Sequence, residues 1–93
     1  MDRDQAKTLI RRLANQGCVG FSGHCQDSMG ERNVNSDDFL QVLIWGEVLS
    51  VEKNNNTGHW KCEVNGKDVD GDDLTLQVAI DEVGQRVICV TVY

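Results

Sequence analysis

Proline is absent from these 93 residues, aromatic residues make up only 5% of them, and the nine lysines and arginines are outnumbered by 15 carboxylates. Each scarcity excludes something. Without proline there is no polyproline linker and no proline-rich disordered segment. No apolar run approaches the length of a membrane span or a signal-peptide core, and the charged start Met1-Asp2-Arg3-Asp4 suits neither, so a cytoplasmic chain with no membrane role is expected. The net charge of −6 sets the chain apart from ordinary nucleic-acid binders, whose affinity rests on neutralising phosphates. Missing too are a glycine-rich phosphate loop, a serine-nucleophile elbow and any C-x2-C pair. No cofactor and no metal are therefore expected, and any chemistry falls to side chains alone.

What is present reads as one α+β domain over residues 1–93, with a hydrophobic fraction of 40%. About three helices occupy 1–47 and a sheet occupies 48–93. Ala6, Leu9, Ile10 and Leu13 recur at helical spacing between Asp4 and Gln16, and Gly17 is placed to end that helix. Cys18 to Phe21 has the look of a short extended segment. Ser22 is an N-cap for a second helix running to about Glu31. Asn35 or Ser36 caps a third, with Asp37 and Asp38 in its first turn, the stripe Phe39, Val42 and Leu43, and a stop at Gly46. From Val48 the period changes to two, and four strands follow: Val48 to Lys53, His59 to Asn65, Leu74 to Ile80, and Arg86 to Tyr93. Short loops make this an antiparallel meander, its apolar face covered by the helices.

Four cysteines, Cys18, Cys25, Cys62 and Cys89, come without a secretory signal, so reduced thiols are expected. The nearest histidine–cysteine spacings, His24-Cys25 and His59 to Cys62, do not form paired zinc ligands. Asp68 to Asp73 is rich in carboxylates, but its glycine is misplaced for a calcium loop and it reads as a hairpin turn. By elimination, the chemistry centres on the second helix. His24 and Ser28 lie four apart, with Arg32 one turn further on, so one helix side would carry an imidazole, a hydroxyl and a guanidinium. Such a set suits RNA cleavage, where a base deprotonates the 2′-hydroxyl and a cation steadies the phosphate. The hydroxyls of Ser28, Thr91 or Tyr93 would complete it. Arg3, Lys7, Arg11 and Arg12 concentrate on the first helix, either as a phosphate-binding stripe led by Lys7 and Arg11 or as a solvated face. A lone helical histidine is also compatible with a structural role.

The order Phe21-Ser22-Gly23-His24, Met29, Arg32, Val34, then Asp37-Asp38 and Trp45-Gly46-Glu47-Val48, resembles a small prokaryotic domain-of-unknown-function family. Its hallmark is F-S-x-H-x3-R-M-x2-R-x-I with a later G-E-I, and Val87 to Tyr93 resembles its closing V-I-T-V-Y strand. The family is grouped with RelE-like and MqsR-like toxins of the barnase–EndoU–colicin–RelE ribonuclease fold. The resemblance implies a toxin-type, metal-independent endoribonuclease domain with RNA and a cognate antitoxin as partners. It places His24 and Arg32 at the active site, with Thr91 and Tyr93 from the last strand. Ser28 stands where the hallmark has its first arginine. Losing such a cation costs about two to three orders of magnitude in rate, which leaves a catalytically inactive, protein-binding domain of the same fold as the alternative.

Overall fold

The structure, a computed structural model, describes residues 1–93. Three helices come early, α1 (Arg3–Asn15), α2 (Gly23–Glu31) and α3 (Ser36–Trp45). Five strands accompany them: β1 (Val19–Phe21), β2 (Glu47–Lys53), β3 (Trp60–Lys67), β4 (Asp73–Asp81) and β5 (Arg86–Val92).

Local chemistry sets each helix end. Asp2 caps α1 by accepting from the Gln5 amide, and the Gln5 side chain accepts from the Asp2 amide in return. Ser22 Oγ accepts from the Cys25 amide at 3.0 Å and opens α2. The cap of α3 is Asn35, again in a reciprocal box, with Asp38. Asp38 is buried, and its second oxygen accepts the amide of Val69 at 3.1 Å, so the same carboxylate ties the helix start to the β3–β4 loop. Gly17, at φ +74°, releases the chain from α1 in a conformation that side-chain-bearing residues avoid.

The strand order is β1-β5-β4-β3-β2. β2 to β5 form the expected antiparallel meander, but the sheet is five-stranded and mixed, because β1 pairs in parallel with β5 from Val19↔Val87 to Phe21↔Cys89. The short segment before α2 is thus an edge strand, and the division at residue 47 does not separate helices from sheet. Three residues are too few to show an alternating pattern of their own. Their pairing comes from a strand at the other end of the sequence.

All three helices lie against one face of the sheet, where alternate residues of each strand point. Ala6, Ile10 and Leu13 of α1 and Phe39, Val42 and Leu43 of α3 meet Val64, Leu76, Val78, Ile80 and Val87 in one buried core. Gly46 lets α3 turn into β2 at close quarters: a Cβ there would stand 2.5 Å from the Val42 carbonyl oxygen and 2.7 Å from that of Asn65.

The cysteines depart from expectation. Cys25 and Cys89, both fully buried, form a disulfide between α2 and β5, while Cys18 and Cys62 are free thiols. Burial pushes the Cys62 thiol up to about 11, a poor nucleophile at neutral pH. No helix is long and apolar enough to cross a membrane.

Candidate functional site

The site expected from sequence is built on α2 and the end of β5. Two hydrogen bonds fix the start of α2 to that strand: the Ser22 amide donates to the Cys89 carbonyl at 3.0 Å, and Ser22 Oγ donates to the Val90 carbonyl at 3.4 Å. His24 follows Ser22 by two residues and Thr91 follows Val90 by one, so both flank a shared anchor. His24 is exposed, and its imidazole has no hydrogen bond or ion pair within the protein. Arg32 is the C-cap of α2, exposed, with its guanidinium likewise unpaired. Eight residues of helix separate the two, roughly 12 Å along the axis. They border the same helix from opposite ends.

Ser28 does not join them. It is buried, and its hydroxyl donates to the His24 carbonyl one turn back at 3.0 Å. The expectation of an imidazole and a hydroxyl side by side is corrected, because Ser28 lies three residues after buried Cys25 and shares its inward face. Lys7 and Arg11, on α1, stand apart from α2. Lys7 is ion-paired with Glu47 at 3.0 Å, so it serves the junction of α1 with β2. Arg11 is half-buried with its Nε out of contact with water, and Arg12 donates to Gln85 at 2.9 Å. A free cationic stripe along α1 is therefore not what the fold presents.

The other face of the sheet carries no helix and is crossed by ladders of side chains. Glu63, Gln77 and Thr91 form one row, through the pairs Glu63↔Gln77 and Gln77↔Thr91. Asn65 and Thr75 form the next, with Asn65 Nδ2 donating to Thr75 Oγ1 at 2.9 Å. Tyr93 is pinned here by its backbone to Thr75, and its phenol donates to Glu63 at 2.8 Å. That bond, with some desolvation and the carboxylate's charge, raises the phenol above its ordinary value. Of the four expected catalytic residues, His24 opens α2 on the helix-covered side, Thr91 and Tyr93 lie on the helix-free face, with Tyr93 engaged by Glu63, and Arg32 stands a helix length from His24.

Over residues 21–93 the chain matches the family described as Domain of unknown function (DUF4258). It belongs to that family. The matched span begins with Phe21 and takes in α2, α3 and the strands β2 to β5, but leaves out α1. Family membership therefore covers His24, Arg32, Thr91 and Tyr93, whereas Lys7 and Arg11 fall outside it. No curated protein matches the chain.

One constellation on the open face escaped sequence reasoning. His59 Nε2 lies 3.9 Å from Asp81 Oδ2, and Arg86 Nε lies 3.9 Å from the same oxygen. The other Asp81 oxygen accepts the Gly84 amide at 2.9 Å, which fixes the carboxylate between them. The three residues come from the turn just before β3, the end of β4 and the start of β5, with no motif to join them in sequence. Only the short connection between the expected strands Leu74–Ile80 and Arg86–Tyr93 was legible; the pairing Asp81↔Arg86 was not. No group of three or more His, Cys, Asp or Glu side chains is gathered as a metal site would require.

Proposed function

We propose that this DUF4258 domain is an RNA-directed, toxin-type endoribonuclease domain of the RelE-like grouping, with His24 moving the proton and Arg32 holding phosphate. The observation that carries the reading is His24 itself, exposed and free of internal partners at the first turn of a helix anchored to β5 beside Thr91. A structural histidine would be expected to hydrogen-bond within the protein. An unpartnered one on the surface is available to accept the 2′-hydroxyl proton as that oxygen attacks phosphorus, giving a 2′,3′-cyclic phosphate and a free 5′-hydroxyl. The guanidinium of Arg32 offers two parallel donors to phosphate oxygens. Thr91 supplies a hydroxyl on the helix-free face, in the row of Glu63 and Gln77. The phenol of Tyr93, an O–H donor at neutral pH, is the natural proton donor to the leaving oxygen once Glu63 is displaced. Action on RNA places the domain in the cytoplasm, where glutathione favours the dithiol form of Cys25 and Cys89 and the disulfide is the oxidised state.

The test uses purified protein and a mixed-sequence RNA in the presence of a chelator. Wild type should leave cyclic-phosphate ends, His24→Ala should cut cleavage by about 10²–10⁴-fold, and Arg32→Ala by about 10²–10³-fold. Expression of wild type should arrest growth, and His24→Ala should relieve it. Intact RNA together with harmless expression would sink the reading.

A second reading, a non-catalytic domain that docks a protein such as a cognate antitoxin, is favoured by Trp45 and Leu49. Both are exposed, 70% and 47%, beside the free edge of β2. An added strand from a partner would satisfy that edge and cover both side chains. Loss of antitoxin capture by Trp45→Ala, with His24→Ala unaffected, would identify it.

A further inference from the structure

A depression of about 330 Å³ lies on the helix-free face of the sheet, at the low end of the volumes that small ligands occupy. Ala79 and Ile88, direct cross-strand partners, form its floor with Val90. The 54–59 turn forms one wall and Lys61 and Gln77 the far side. That turn is well braced. Asn54 Oδ1 accepts the amides of Asn56 and Thr57 at 3.0 and 3.4 Å, and the Asn54 amide donates to the His59 carbonyl at 2.9 Å. Thr57 Oγ1 accepts the His59 amide at 3.2 Å.

We propose that this depression binds a nucleotide. In a chain of net charge −6, no carboxylate lines it, and both ionisable side chains that do, His59 and Lys61, are basic. Asp81, 3.9 Å from the imidazole, stands outside the lining, and Lys61, whose cross-strand partner is Glu52, makes no ion pair, so both basic groups are open to a ligand. Phosphate oxygens take their place between Lys61 and His59. The aliphatic floor of Ala79, Ile88 and Val90 receives the flat face of a base. Gln77, with an amide that both donates and accepts, meets the base edge. A purely apolar ligand would leave the two bases unused, and a bare anion would leave the floor uncovered.

A free nucleoside monophosphate and a nucleotide unit within RNA present the same chemistry. The subsite extends the RNA reading but rests on the groove alone, so the titrations are repeated on His24→Ala protein and lost cleavage is read separately from lost binding. Amide NMR titrations with uridine monophosphate, with uridine and with a short RNA distinguish the sources. The monophosphate should shift His59, Lys61, Ala79 and Ile88 saturably, and Lys61→Ala should weaken it roughly tenfold. Uridine should bind wild type as weakly as the monophosphate binds Lys61→Ala. Competition by the short RNA at these same amides assigns the site to the strand, and its absence assigns it to the free nucleotide. No saturable shift in this groove with either, or equal binding of uridine and its monophosphate, overturns the proposal. Val69→Ala, in the β3–β4 loop away from the groove, should leave binding unchanged, and melting curves of each variant report intact folding.

Discussion

Opening the Cys25–Cys89 bond is the sharpest perturbation of this fold. The bridge joins residues 64 apart in sequence, enclosing most of α2, all of α3, β2, β3 and β4, and the start of β5 in one loop. A cross-link over a loop of that length removes about 4 kcal/mol of conformational entropy from the unfolded chain at 25 °C. In a domain of this size about 1 kcal/mol moves the melting temperature by roughly 5 °C, so reduction should lower it by roughly 20 °C. Both sulfurs are buried, so the loss should appear slowly under mild reductant and promptly once the protein is unfolded in its presence. Circular dichroism melts with and without a phosphine reductant measure it. Cys25→Ala/Cys89→Ala protein should melt near the reduced wild type and ignore the reductant. Thiol titration of wild type that has first been oxidised, then unfolded without reductant, should find only the two free thiols of Cys18 and Cys62. Four reactive thiols, or superimposable melts, would refute the reasoning.

Tyr93 is the only tyrosine in the chain, so its ultraviolet phenolate signal is unambiguous. Its titration should run above the ordinary tyrosine range and return toward it in Glu63→Gln. The phenol is raised in the folded state, so any stability it lends is complete below the unfolded value and lost as pH climbs through the folded one. Asp38→Ala removes the acceptor for two amides, Asn35 and Val69, each at 3.1 Å, and should cost about 2–3 kcal/mol in urea denaturation. Gly46→Ala drives a methyl against two backbone carbonyls that cannot yield separately. It should cost about 2 kcal/mol or more, read as a lower denaturation midpoint at unchanged slope. A loss no larger than that of an exposed Gly30→Ala would refute the close-packing argument.

Helix ends were legible because their chemistry is local. Asp2 with Gln5, Ser22 with Cys25, and Asn35 with Asp38 each close within three residues, and the hydrogen bonds fall on those residues. Strands β2 to β5 were legible for the same reason, their alternation being visible over seven to nine residues. What stayed hidden depends on distant parts of the sequence. β1 owes its existence to Val87–Cys89, and the disulfide joins a helix to the last strand. Within α2, the spacing of His24 and Ser28 suggested a shared outer side, but Ser28 turned inward with Cys25, since a residue three along from a buried one is as close to it as one four along. The groove holding His59 and Lys61 draws on three strands and a turn. No spacing rule links Asn54 to Val90.

The position of β5 also bears on how the protein comes into being. It sits between β1 and β4 yet follows every other element in the order of synthesis. As the chain leaves the ribosome, the helices and the β2–β4 meander emerge first, while β4 presents an unpaired edge and β1 has no strand to join. Arrival of Arg86–Val92 fills both edges at once, seats Val87 and Val92 in the core, and brings Cys89 to Cys25. A nascent chain stalled before residue 86 should therefore be open to proteases, and the seven residues of β5 act as the closing seam of the whole domain.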